Sequence, residues 1–268
     1  MDATIIDTDS CSALRRGWQL GDGHFTTIHG QAGRLRLWPY HQARLAEACA
    51  RLQMVAPDWA RLHEAALAQV AGNDEQVLRI SLLRGPGARG YGIAGCGETT
   101  VVFNQSPFPA YYHDWRQTGI ALGLCRGRLG SSPLLAGLKT INRLEQVLLK
   151  AELEEAGLDE GLVLNEADEL VEAVTANLFW RRGQQVFTPD LSRAGVAGTM
   201  RSWVIDTLAE WGQRVQPVRA GLAALQQADE IWLTNALMGV VPVASLTERV
   251  ITSFPTVRQL QCEYEKRV

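Results

Sequence analysis

Lysine is scarce in this sequence: of 26 basic residues only Lys139, Lys150 and Lys266 are lysines, and the rest are arginines. Arginine stays protonated, whereas a desolvated lysine can lose its proton and form a Schiff base with an aldehyde. The five cysteines (Cys11, Cys49, Cys96, Cys125, Cys262) are odd in number, scattered and without a C-x-x-C pair. That pattern argues against a disulfide framework or a cysteine zinc site and fits reduced thiols in a cytoplasm. The five histidines (His24, His29, His41, His63, His113) form no H-x-x-x-H pair and do not cluster with cysteine, so spacing suggests no metal site. No apolar run reaches the roughly eighteen residues of a membrane span, and the start MDATIIDTDSCSALRRGW has no signal-peptide core. A net charge of −3 supplies no basic face for nucleic acid and no polybasic patch for a membrane. Internal repeats and low-complexity tracts are absent as well.

The remaining composition is that of a soluble globular protein, with 46% hydrophobic and 21% charged residues. Its 268 residues suffice for one large domain or two ordinary ones. Small-molecule chemistry is the default expectation.

Hydrophobic periodicity predicts a hairpin first, with strands around Phe25–His29 and Arg34–Trp38 and a turn at Gly30–Gly33. From Pro39 the pattern becomes helical, with Leu45, Ala48, Cys49 and Leu52 on one face; a second helix spans Trp59–Ala71 and leads to the strand VLRISLLR. The following GPGARGYG matches G-x-G-x-x-G at Gly85, Gly87 and Gly90, but no helix starts there and no acidic residue follows at the distance a dinucleotide site needs. A hairpin connection is the simpler reading. SPFPAYYHD, with two prolines and no regular period, reads as a linker. The expected division is a smaller N-terminal α+β domain over 1–108, a linker over 109–115, and a larger β-rich α+β domain over 116–268. In the second part, GIALGLCRGRLG reads as a strand leaving a loop that carries Arg126 and Arg128, and a helix with Leu144, Val147, Leu148 and Ala151 on its apolar face ends at Gly157. Three strand-like runs then follow, with turns near Asn165–Asp168 and Arg182–Gly183.

Four features carry possible chemistry, three of them with a plainer alternative. Lys139 lies between an apolar segment and a helix, and reads either as a snorkelling lysine or as an amine nucleophile. Lys150 can pair with Glu154, and Lys266 sits in a charged tail. Arg44 falls in the first turns of a helix, either as a surface arginine or as an anion holder. Glu172, in the second strand-like run, is either the exposed face of an amphipathic strand or a placed carboxylate. AGVAGTMR puts a glycine turn just before a helix start near Met200, where backbone N–H groups can cradle a phosphate. A strand also ends in a polar turn at Thr234 and Asn235. Together these are the parts a pyridoxal phosphate site requires: a lysine for the aldehyde, a carboxylate for the pyridine nitrogen, and donors for the phosphate.

The motifs GDGHFTT, HQARL, RGYG, LKTINRLEQVLL, LVEAVTANLFW, GVAGTMR and TNALMGVVPV occur in this order over essentially the whole length. In them the chain resembles the fold-type IV pyridoxal phosphate enzymes and, within these, the aminodeoxychorismate lyases. The resemblance implies an α+β fold of two domains with pyridoxal 5'-phosphate in the cleft between them, and a homodimer. It implies Lys139 as the Schiff-base lysine and acid/base, Glu172 at the pyridine nitrogen, and Arg44, Thr199, Met200 and Asn235 around the phosphate. Tyr91 and Arg89 of RGYG become candidates for substrate contact, and Thr26 and Thr27 for the pocket lining. The implied reaction turns 4-amino-4-deoxychorismate into 4-aminobenzoate and pyruvate, a step toward folate. The alternative is an aminotransferase acting on D-amino or branched-chain amino acids on the same scaffold.

Overall fold

The computed structural model describes residues 15–87 and 90–267. These form two compact units of mixed helix and strand. The first unit takes in Met1–Leu35, described from residue 15, together with His41–Ser106 and Lys139–Asn142; the second comprises Arg36–Tyr40, Pro107–Leu138 and Arg143–Val268.

The first unit contains α1 (Arg15–Leu20), β1 (Gly23–Gln31), β2 (Arg34–Leu35), most of α2 (Trp38–Arg51), α3 (Trp59–Val70), β3 (Glu75–Leu83) and β4 (Thr100–Pro107). Its sheet runs β2-β1-β3-β4. The second strand of the expected hairpin is cut to two residues because Trp38 and Pro39 open a helix, and proline fits the first helical turn. Asp58 starts α3 by accepting from Ala60 N and Arg61 N at 3.0 and 3.1 Å. Leu45, Ala48 and Cys49 are buried as their spacing predicts, with Ile28, Leu62, Ala66, Leu78 and Ile80. The GDG turn anchors two arginines, since the Asp22 carboxylate accepts from Arg16 Nε at 2.5 Å and from Arg84 Nε at 2.9 Å. The formal G-x-G-x-x-G is a close chain approach. A Cβ at Gly85 would lie 2.2 Å from Glu98 O, and one at Gly87 2.4 Å from Cys96 Cα.

The second unit contains α4 (Tyr111–Thr118), β5 (Ile120–Leu129), α5 (Leu144–Glu155), β6 (Glu160–Asn165), β7 (Leu170–Ala173), β8 (Asn177–Arg182), β9 (Gln185–Pro189), α6 (Thr199–Glu210), β10 (Val215–Val218), α7 (Ala223–Gln226), β11 (Glu230–Asn235), β12 (Gly239–Leu246), β13 (Arg249–Val250) and α8 (Pro255–Lys266). Its sheet order is β10-β9-β8-β11-β12-β5-β6-β7, with β13 on β12. Strand alternation divides the core. Leu178, Ile231, Leu233, Val241 and Val243 enter one cluster, while Phe179, Trp232 and Val240 enter another with Trp203 of α6 and Leu260 of α8.

Several expectations are corrected here. The segment read as a linker carries α4, whose Tyr111, Tyr112 and Trp115 rings pack together. Arg126 and Arg128 lie within β5 rather than in a loop. Four strands, β6 to β9, rather than three run between α5 and α6. Lys150 Nζ donates to Asp159 O at 2.9 Å instead of pairing with Glu154. The apolar stripe of α5 is turned outward: Leu149 and Leu153 are buried, whereas Leu144, Val147 and Leu148 are exposed.

Glu230 supplies a stability test. Phe254 offers α8 no side-chain cap, and the buried Glu230 carboxylate replaces it. It accepts from Thr256 N at 2.9 Å, Thr256 Oγ1 at 2.7 Å and Arg181 Nε at 2.6 Å. Glu230→Ala removes the carboxylate that pairs with Arg181 and leaves the α8 N–H groups uncapped, and is expected to cost about 3–5 kcal/mol in urea unfolding.

Candidate active site

In the first unit the site is built on the short reach of β2. Because β2 pairs only with Gly30 and Gln31 of β1, the Gly23–Phe25 end of that edge is left for another segment. Residues 139–141 take it: Phe25 N donates to Lys139 O at 2.9 Å, Ile141 N donates to Gly23 O at 3.1 Å, and His24 and Thr140 form a bridge. Lys139 is thus held by backbone pairing and is only partly exposed, with Nζ 4.8 Å from the Phe25 ring centroid. One helical turn into α2, Thr26 Oγ1 and buried His41 Nδ1 share a hydrogen bond of 2.5 Å, and Arg44 Nη1 donates to Thr26 Oγ1 at 3.4 Å. Burial pulls the Arg44 pKa down to about 10, which leaves it cationic at neutral pH. Burial, helped by the Arg44 charge, pushes His41 well below its ordinary value and keeps it neutral.

The second unit carries a carboxylate and a glycine loop. Glu172 lies on β7 and is only 5% exposed, not on an open amphipathic face. Its Oε2 accepts from Val196 N at 2.9 Å. The guanidinium of Arg143, lowered by burial, is in part held up by the Glu172 charge. Asn177 fixes the same loop, donating through Nδ2 to Val196 O at 2.7 Å and accepting through Oδ1 from Gly198 N at 3.0 Å. A Cβ at residue 198 would sit 2.0 Å from Asn177 Oδ1, so glycine is required. Gly137 joins this loop by pairing with Gly195 O and Ala197 N, each at 2.9 Å.

Directly after the loop, Thr199 and Met200 open α6 and are buried. The Thr199 hydroxyl has no hydrogen-bond partner among the described residues, and neither has that of Thr234 at the end of β11. Two orphaned buried hydroxyls and the N–H groups of a helix start can hold a phosphate group. Asn235 holds the turn that follows β11. Its side chain is committed to the turn, accepting from Leu237 N and Met238 N at 2.9 and 2.8 Å and donating to Thr175 O at 3.2 Å.

Tyr91 is 88% exposed in its turn, and Arg89 lies outside the described residues. Sequence reasoning did not single out Phe25, Asn177 or Arg143. Asn177 and Arg143 lay in the quoted LVEAVTANLFW and LKTINRLEQVLL, but single residue types gave no signal for supporting roles. Among the described residues no group of three His, Cys, Asp or Glu could hold a metal ion, and no helix is long and apolar enough to cross a membrane.

The model for amino-transferase class IV matches residues 23–246. The chain belongs to this class IV family. Among curated relatives, the aminodeoxychorismate lyase of Vibrio harveyi is 39% identical over 232 residues, covering 87% of this chain and 86% of its own. The crystal structure of 4-amino-4-deoxychorismate lyase from Pseudomonas aeruginosa is similar at 37% identity and a TM-score of 0.89, covering 100% of this chain and 97% of that one. A hypothetical aminotransferase from Mycobacterium tuberculosis, solved in a PLP-bound form, shares the fold at 20% identity and a TM-score of 0.79, covering 98% and 93%. The two-sheet α+β architecture described above is therefore that of the class IV aminotransferases, the fold-type IV enzymes of the resemblance.

Proposed function

We propose that this class IV chain is a pyridoxal phosphate-dependent aminodeoxychorismate lyase, converting 4-amino-4-deoxychorismate to 4-aminobenzoate and pyruvate in the folate pathway. The observation that carries the reading is the likeness, over nearly the whole chain, to two proteins named as that lyase. The site residues fit the cofactor. Thr199, Met200, Thr234 and Arg44 would hold its phosphate, Asn235 would shape the turn beside Thr234, Glu172 would face its pyridine nitrogen, and Lys139 would carry its aldehyde. When bound, the group supplies an electron sink for charge left by proton removal.

Each protein group then has a part in the reaction. Lys139, with its amine free, would take the proton from the amine-bearing ring carbon. Glu172, which accepts from Val196 N and interacts with the Arg143 charge, would favour a protonated ring nitrogen. Loss of the enolpyruvyl group aromatises the ring, and return of the proton completes pyruvate. Atoms balance without water or a second substrate.

The test is a coupled assay with 4-amino-4-deoxychorismate generated in place and no 2-oxo acid added. Equimolar 4-aminobenzoate and pyruvate are expected. No product, together with a shift of the visible band on adding D-alanine or a branched-chain amino acid, would move the function to the aminotransferase alternative.

The protein is further read as a cytoplasmic homodimer. Cys49, Cys96, Cys125 and Cys262 are free thiols, in keeping with a reducing compartment. Leu134, 86% exposed, and the outward Leu144, Val147 and Leu148 form an apolar surface suited to a second copy. Leu144→Glu combined with Leu148→Glu is expected to shift the protein to a monomer in light scattering; an unchanged mass would reject this face.

A further inference from the structure

Among the buried side chains of the first unit, His41 has a polar edge that packing does not explain. The residue is 1% exposed, its Nε2 has no hydrogen-bond partner among the described residues, and its Nδ1 meets Thr26 Oγ1 at 2.5 Å. An unpaired nitrogen inside a core is costly, and a phenylalanine ring would avoid it. The contact with Thr26 is therefore the feature to explain. Thr26 is fully buried on β1, and its hydroxyl has two partners among the described residues, His41 Nδ1 and Arg44 Nη1. A guanidinium only donates, so the Thr26 oxygen accepts from Arg44. The hydroxyl proton is then left for His41, whose Nδ1 accepts it while the ring's own proton sits on Nε2. With that proton on Nδ1 instead, the Thr26 hydroxyl would have no acceptor among the described residues. Burial and the Arg44 charge both disfavour a protonated ring, which keeps Nδ1 an acceptor at neutral pH. Residues 41 and 44 stand three apart on α2 and so share the face that meets Thr26.

We propose that His41 is a positioning residue for Arg44: by taking the Thr26 proton it turns a lone pair of that hydroxyl toward the guanidinium, and so aims the guanidinium at the phosphate group of the cofactor. The five N–H donors of a guanidinium lie in one plane, so fixing one of them at Thr26 orients the others. The proposal rests on the reading of Arg44 as a phosphate holder. It does not depend on whether the enzyme is a lyase or an aminotransferase.

The experiment measures, by fluorescence, the binding of pyridoxal 5'-phosphate and of pyridoxal, which lacks the phosphate group, to the full-length protein freed of cofactor. Inorganic phosphate serves as a competitor. His41→Phe removes the acceptor and keeps a ring, His41→Asn returns an oxygen to the place of Nδ1, and Thr26→Val removes the hydroxyl at nearly equal volume. His41→Phe and Thr26→Val are each expected to weaken pyridoxal 5'-phosphate about 5- to 50-fold, to weaken inorganic phosphate likewise, and to leave pyridoxal unchanged. His41→Asn recovers part of the loss. The double variant is no worse than the poorer single, because both substitutions break one link. Equal weakening of both pyridoxal forms would show a structural role only and overturn the proposal, as would fully additive losses or no change. If His41→Phe does not fold, His41→Gln, which has no polar atom at the Nδ1 position, takes its place. Arg44→Met separates the two readings. Should it leave the preference for the phosphorylated form intact, the phosphate role of Arg44 fails and the proposal with it. A preference lost in Arg44→Met but kept in His41→Phe rejects the positioning role alone.

Discussion

Replacing Lys139 with alanine is expected to abolish covalent retention of pyridoxal phosphate after borohydride reduction, and to lower turnover at least about 10³-fold. Lys150→Ala is expected to leave both unchanged, because its amine is occupied by the Asp159 carbonyl. The contrast matters because lysine is so rare here that each one can be removed in turn. Mass spectrometry of the reduced, digested protein locates the modified lysine. A label that persists in Lys139→Ala would remove the chemical basis of the proposed function. Stability should change little in this variant. The backbone bonds that join residues 139–141 to β1 do not involve the Lys139 side chain.

Glu172→Gln is the second large effect. Glutamine can still accept from Val196 N, so the loop ahead of α6 keeps its anchor. The charge is lost, and with it the proposed preference for a protonated pyridine nitrogen. Turnover is expected to fall about 10²- to 10³-fold, the range found when a preorganised electrostatic partner is removed. Borohydride fixation to Lys139 should persist. Retention of full activity in Glu172→Gln would reject the assigned role, whereas loss of fixation as well would mean that the substitution had disturbed cofactor binding. Glu172→Ala is a poorer probe, since it also leaves Val196 N without its acceptor.

The sequence was most legible where one physical rule governed a segment. Leu45, Ala48 and Cys49 were placed on a buried helix face by period alone, and Gly157 ends α5 with a positive φ of 66°. It was least legible where period gives a face but no direction. In α5 two apolar stripes lie on opposite sides, Leu149 with Leu153 and Leu144 with Val147 and Leu148, and only tertiary packing selects the inward one. Glu172 misled for a related reason. β7 is buried at all four positions, and the carboxylate inside this strand is met by Val196 N and by the Arg143 charge, both remote in sequence. The phosphate-holding features were half visible. A glycine turn before a helix could be read from AGVAGTMR, but the missing partners of the Thr199 and Thr234 hydroxyls are a property of three dimensions.

The position of β5 also shapes how the chain is made. It lies between β6, which follows closely in sequence, and β12, with which it pairs in parallel. A ribosome adding about 5–20 residues per second reaches Gly239 on the order of ten seconds after finishing β5. Throughout that interval one side of β5 presents unsatisfied N–H and C=O groups, a template for strands of neighbouring nascent chains. Slower elongation lengthens this exposure, while faster completion of the C-terminal third shortens it. The hazard of misassembly therefore depends on the order of synthesis rather than on the finished surface.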